Sequence, residues 1–269
     1  MNGITPVVGS GNDRGGSSRT LTSSPSAMES FPQELIDKVI DNLPHSSLRP
    51  CSLVGRRWRR RSQEYFFAIV AFSSERKLVS WCANIPQGPD GIPSYVRTVQ
   101  FEFIHSWREP ALFGRVLKEF TSMTTLWIFN ATIPRPRDLP NSMSFGEFGK
   151  KIERLMLLSP RCTVATVTAL VLSLPNLERL FLIGTAPRKP PSVLPHASQR
   201  GPLVELDLHA PGSGVGTALA QCGVTSRKLS TSVSEAGLEQ LLTLSSEVIV
   251  KLQLNGTWPL GTFGERKQY

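Results

Sequence analysis

At 269 residues and 40% hydrophobic content, the chain is long enough for one long domain, or for a small module followed by a larger one. No uninterrupted apolar run approaches the ~18 residues of a membrane-spanning helix, and the longest candidate, around Val164 to Leu174, is broken by Thr and Ser. The net charge is +9 with an isoelectric point near 9.8, but the basic residues gather at Arg56-Arg57-Trp58-Arg59-Arg60-Arg61 without further basic-aromatic interleaving, which points away from nucleic acid as the partner.

Residues 1–28 are rich in Gly, Ser, Thr and Pro and nearly free of large apolar side chains, so a disordered tail is expected there. The tail has neither the charged start nor the apolar stretch of a secretory signal. The first ordered element is expected over FPQELIDKVIDNL, from Phe31 to Leu43. On a helix, Leu35, Ile36, Val39, Ile40 and Leu43 fall within an arc of roughly 140°, while Glu34, Asp37, Lys38, Asp41 and Asn42 take the other side. Pro32 suits the first turn, Ser30 or Phe31 the N-cap, and Pro44 stops the helix. A second apolar segment has Leu48, Cys51 and Val54 at helical spacing with Trp58 one turn on. Pro50 is compatible with it if that helix begins near Ser47. The arginines after Gly55 read as a solvated helix end complementing the helix dipole, with a nuclear-import signal as the sharper alternative.

A segment this short cannot bury so many apolar groups by itself, so part of the apolar set must pack on the rest of the chain or on a partner. Phe31-Pro32, Glu34-Leu35-Ile36, Val39-Ile40, Leu43-Pro44, Leu48, Cys51, Leu53-Val54 and Trp58 resemble the F-box, in the form common in fungal proteins. The F-box is a helical module that docks on a Skp-type adaptor and through it on a cullin. The resemblance implies adaptor contacts among Pro32, Leu35, Ile36, Val39, Leu48, Leu53, Val54 and Trp58. Two positions depart from the family pattern. Phe31 replaces the usual leucine, and Gly55 stands where cysteine is common, which is expected to loosen a helical turn by up to about 1 kcal/mol.

The module is expected over 29–72, with Phe66, Phe67, Ile69, Val70 and Phe72 as packing residues at its end, followed by a linker helix and loop over 73–93. From 94 to 269 a short signature returns: Val96-x-x-Val99-x-Phe101, Met123-x-x-Leu126-x-Ile128, Ile152-x-x-Leu155-x-Leu157, Leu177-x-x-Leu180-x-Leu182, Leu203-x-x-Leu206-x-Leu208 and Ile249-x-x-Leu252-x-Leu254. A worn copy lies at Ser226-x-x-Leu229-x-Thr231. The middle positions are 27, 29, 25, 26, 23 and 23 residues apart, and apolar residues two apart share one face of a short strand. Helical patterns lie between, at Leu112 to Phe120, Val164 to Leu174, Thr217 to Gln221 and Ala236 to Leu244. This region resembles an irregular leucine-rich-repeat solenoid, so the expected fold is α/β: a small helical F-box followed by a strand-helix solenoid. The asparagine usual in that family is absent, its positions holding Ala131, Pro160, Thr185, Pro211 and Thr257. No polar capping unit follows Leu254, and the C-terminal end of the array is expected to be cut short.

Catalytic signatures are missing: no G-x-S-x-G, no P-loop and no H-E-x-x-H. Cys51, Cys82, Cys162 and Cys222 and the four histidines have no zinc-ligand spacing, so reduced thiols in a cytoplasmic or nuclear protein are expected, with no metal and no cofactor. His209 follows a strand without a nucleophile placed by sequence to use it. Gly212-Ser213-Gly214-Val215-Gly216 is the one enzymatic lead, as a strand-turn-helix whose free N–H groups suit a phosphate, but the dinucleotide pattern is incomplete. The resulting expectation is a non-catalytic substrate receptor of a cullin-based ubiquitin ligase, with Trp127, Phe129 and Phe181 as substrate anchors. A repeat scaffold without a ligase role is the alternative, and a small-molecule enzyme the third reading.

Overall fold

The computed structural model describes residues 31–84, 91–102, 118–130, 149–159, 163–184, 202–209, 214–232 and 237–255. The expected tail, the Ser30 cap, the helical pattern over 112–117, Cys162, Gly212, Ser213 and the end of the chain after 255 lie outside these residues.

Three helices come first: α1 (Gln33–Asp41), α2 (His45–Val54) and α3 (Arg56–Phe66). Pro32 is the N-cap of α1, and its carbonyl accepts from the amides of Leu35 and Ile36 at 3.1 and 3.3 Å. The helix closes at Asn42, whose side chain donates to the Lys38 carbonyl, and Pro44 becomes the N-cap of α2. Ile36, Ile40 and Leu48 form a small core, covered by Leu43, Trp58 and Phe66.

Three local expectations are corrected here. The second helix starts at His45, not near Ser47, so Pro50 lies in its interior and leaves the Ser46 carbonyl without its helical donor. Gly55 does not loosen a turn. It is the extended junction between α2 and α3, at φ −178° and ψ 170°, a backbone open to any residue. A side chain built there would meet no atom within 4 Å. Because α3 begins at Arg56, the arginines stand at the positive end of its dipole, the reverse of the expected complement.

Among the described residues eight strands follow: β1 (Ile69–Phe72), β2 (Thr98–Phe101), β3 (Thr125–Phe129), β4 (Arg154–Leu158), β5 (Arg179–Ile183), β6 (Leu203–His209), β7 (Ser226–Ser232) and β8 (Lys251–Asn255). They form one parallel sheet in the order β1 to β8, each strand paired with its neighbour in sequence. The fold is therefore α/β with an eight-stranded parallel sheet. Val70, Val99, Leu126, Leu155, Leu180, Leu206, Leu229 and Leu252 stand opposite one another across the ladder. The repeated signature thus sets the register.

The sheet begins earlier than expected, since β1 belongs to it and Phe72 lies in its core. Phe67-x-x-Val70-x-Phe72 carries the same spacing as the later copies. The helices α4 (Glu75–Asn84), α5 (Val164–Leu172), α6 (Val215–Gln221) and α7 (Leu238–Ser245) supply Leu78, Val167, Leu219 and Leu241 to the same core as the inward strand residues. Strand residues at the alternate positions face the other way. Thr231 fills a leucine position in β7 and is buried, as expected of the worn copy. Gly237, at φ +83°, marks a close approach: a Cβ there would collide with Thr217 in α6.

Candidate functional site

The helical core is too small to take all the apolar residues of α1 and α2. Ile36 and Ile40 turn inward, while Leu35 and Val39, on the same helix, remain 45% and 48% exposed. At the end of α2, Leu53 and Val54 are 76% and 58% exposed, and Phe31 and Pro32 are exposed beside α1. The Gln33 amide donates to the Arg57 carbonyl at 3.1 Å, and Arg57 Nε returns a bond to Gln33 Oε1 at 3.1 Å. This clasp brings the start of α3, and with it the Leu53-Val54 end of α2, to the first turn of α1.

Of the eight residues implied as adaptor contacts, Pro32, Leu35, Val39, Leu53 and Val54 are accessible. Ile36 and Leu48 are sealed in the helical core, and Trp58 packs against it half-buried. A surface partner cannot reach Ile36 or Leu48 without unfolding the cluster. Helical spacing alone could not divide α1's broad apolar arc, because the division depends on where α3 lands.

Arg61 fixes α3 against α1 through a forked pair with Asp41, Nε to Oδ1 at 2.9 Å and Nη2 to Oδ2 at 3.1 Å. It also bonds Glu64 and lies 4.8 Å from the centre of the Tyr65 ring. The hydrogen bond from Arg61 holds the Asp41 carboxyl below its ordinary value, and Asp41 in turn raises the guanidinium. Beside this pair, a groove of about 460 Å³ is lined by Arg56, Arg57, Arg60 and Arg61 with Gln33, Asp37 and Glu64.

The second surface is the outward face of the sheet. Trp127, Met156 and Phe181 are neighbours on β3, β4 and β5, and Phe129, Leu158 and Ile183 form the next row. All six are half-buried. The Trp127 and Phe129 rings meet edge to face at 5.9 Å. The three expected anchors thus share one face with Met156, a position the strand alternation also places outward, and the register adds Leu158 and Ile183, which the sequence reading passed over. Strand alternation was the available signal.

Further along this face, His209 Nε2 lies 2.7 Å from Asp207 Oδ1, without hydrogen-bond geometry, and 3.5 Å from Ser230 Oγ. The carboxylate and the hydroxyl meet the same ring nitrogen. A nucleophile relay needs them on opposite nitrogens, so this trio does not have that geometry. Burial pushes the Cys222 thiol up, which disfavours a reactive thiolate. Gly214, at φ +71°, caps the short α6, and Gly216 is buried within it. Among the described residues, no group of three or more His, Cys, Asp or Glu is placed to hold a metal, and no helix is long and apolar enough to cross a membrane.

No family model matches the chain, and no match was found among curated proteins.

Proposed function

We propose that this chain is a substrate-receptor subunit of a cullin-based ubiquitin ligase, with α1 to α3 as an F-box that docks on a Skp-type adaptor. The observation that carries the reading is the division of the apolar residues. Those matching the F-box pattern split into an inward set that holds three helices together and an outward set, Leu35, Val39, Leu53 and Val54, left for a partner. Large apolar side chains left in solvent on a small helical unit suit a protein contact. The arginine groove beside it suits a partner with acidic residues.

The remainder is read as a leucine-rich-repeat-like solenoid. One strand per repeat, stacked in sequence order and parallel throughout, supports this, as does the alignment of the signature positions across the ladder. The outward sheet face recruits the substrate, and the chain contributes proximity to catalysis performed by other subunits. A cytoplasmic or nuclear setting follows from this role.

Co-purification of the full chain with a Skp-type adaptor tests the proposal. The parent captures the adaptor and Leu35→Asp does not, while both keep the same helical circular dichroism. An intact, folded parent that fails to capture any adaptor sinks the ligase assignment and leaves a protein-binding scaffold. Trp58→Ala serves as the folding control, since Trp58 packs on the helical core.

A further inference from the structure

The outward row next to the aromatic one reads Arg154, Arg179, Glu205, Lys228 and Lys251 on β4 to β8. Arg154 stands directly opposite Arg179, and Lys228 directly opposite Lys251. Like charges facing each other across adjacent strands destabilise a sheet, and here it happens twice in one row. Four cations share a single carboxylate. Glu205 Oε2 is 3.9 Å from Arg179 Nε, too far for a hydrogen bond, and that Nε is buried without a hydrogen-bond partner among the described residues. Arg154, Lys228 and Lys251 are exposed.

We propose that this row receives carboxylates of the recruited protein, one between Arg154 and Arg179 and one between Lys228 and Lys251. The inference rests on reading the outward face as the substrate surface. At about 4.8 Å per strand, the two pairs are centred about 14 Å apart. An extended segment covers that distance in about four residues at ~3.3 Å each. Lying across the strands and continuing past the Arg154–Arg179 pair toward β3, it sets an apolar side chain beside Trp127 and Met156 in the adjoining row. The substrate class is therefore an acidic, extended segment with two Asp or Glu about four residues apart and a bulky apolar residue beside them. The anions relieve both like-charge contacts, so the sheet is completed by its ligand.

Fluorescence polarisation with the purified full chain tests this directly. The probe is a labelled dodecapeptide with two aspartates about four residues apart and a Phe-Leu pair flanking one of them on the outer side, compared with its asparagine and lysine counterparts. The acidic peptide is expected to bind at least about tenfold more tightly than the asparagine one, and Arg154→Glu or Lys251→Glu to remove about tenfold of that affinity. Each of these variants converts a like-charge pair into an attractive one, so its melting temperature should hold or rise while binding falls. Equal binding of the three peptides, no binding of any, or variants that bind as well as the parent overturns the proposal. Binding only when phosphoserines replace the aspartates overturns the carboxylate assignment. Adaptor capture is measured on the same samples. Lost peptide binding with intact capture refutes only this inference, whereas failed capture with intact peptide binding refutes only the ligase role.

Discussion

Aspartate at two adjacent positions of α1, Leu35 and Ile36, is expected to separate docking from folding. Leu35 keeps 45% of its surface in solvent, and Ile36 keeps 2%. With full burial of a large aliphatic side chain stabilising by ~1.5–3 kcal/mol, covering what Leu35 leaves exposed contributes about 1 kcal/mol. Together, Leu35, Val39, Leu53 and Val54 offer about 5 kcal/mol to a partner. A micromolar complex needs about 8 kcal/mol beyond its association costs, so polar contacts, with the arginine groove the nearest source, must make up the rest.

Leu35→Asp removes the apolar contribution and forces a carboxylate into the covered surface, a further loss of ~2 kcal/mol or more. Adaptor affinity should fall at least about hundredfold. Stability of the free chain should change by less than about 1 kcal/mol, because the new side chain stays in water. Ile36→Asp instead buries a carboxylate in a core built on Ile36, Ile40 and Leu48. A loss of about 4 kcal/mol, enough to melt the three helices, is expected. Biolayer interferometry against the adaptor and thermal melts followed by helical circular dichroism read the two effects. Equal unfolding of both variants, or full adaptor binding by Leu35→Asp, would refute the division of α1 into an inner and an outer face.

Gly55→Cys restores the residue common in the F-box pattern, and with open space around it stability should shift by less than about 0.5 kcal/mol and adaptor capture should persist, as chemical denaturation and pull-down will show. Gly237→Ala should destabilise by about 1–3 kcal/mol in the same denaturation assay, since it joins a left-handed backbone to a collision with Thr217. Asp41 has a lowered folded pKa, so its bond to Arg61 stabilises fully above the unfolded value of 3.8 and is lost as pH falls through the lower folded value. Asp41→Asn should remove that part of the acid unfolding profile and leave the profile near neutrality shallow. Under mild iodoacetamide, Cys51 should be alkylated before Cys82 and Cys222, which are buried; peptide mass mapping would reveal the reverse order.

The strand signature could be read because it encodes two things at once. A strand exposes every second residue to each face, so leucines two apart specify both the strand and its buried side, and their recurrence specifies which residues stand opposite one another. Leu155, Leu180 and Leu206 therefore appear in register as anticipated. Val70 was legible by the same rule, yet its unit falls within the bounds expected for the helical module, 29–72. The amphipathic pattern likewise announced α1, and Pro44 announced its end.

Gly55 shows where local pattern stopped. Apolar spacing ran smoothly from Leu48 to Trp58, but an extended residue between them starts a new helix, and that decides which way the arginines face the dipole. The allocation of Ile36 to the core and Leu35 to the surface, and the pairing of Arg61 with Asp41 across two helices, had no signal in one dimension. Periodicity along the chain prescribes which side of a helix or strand is apolar. Only packing in space decides how much of that side is covered, and which distant charges are made neighbours.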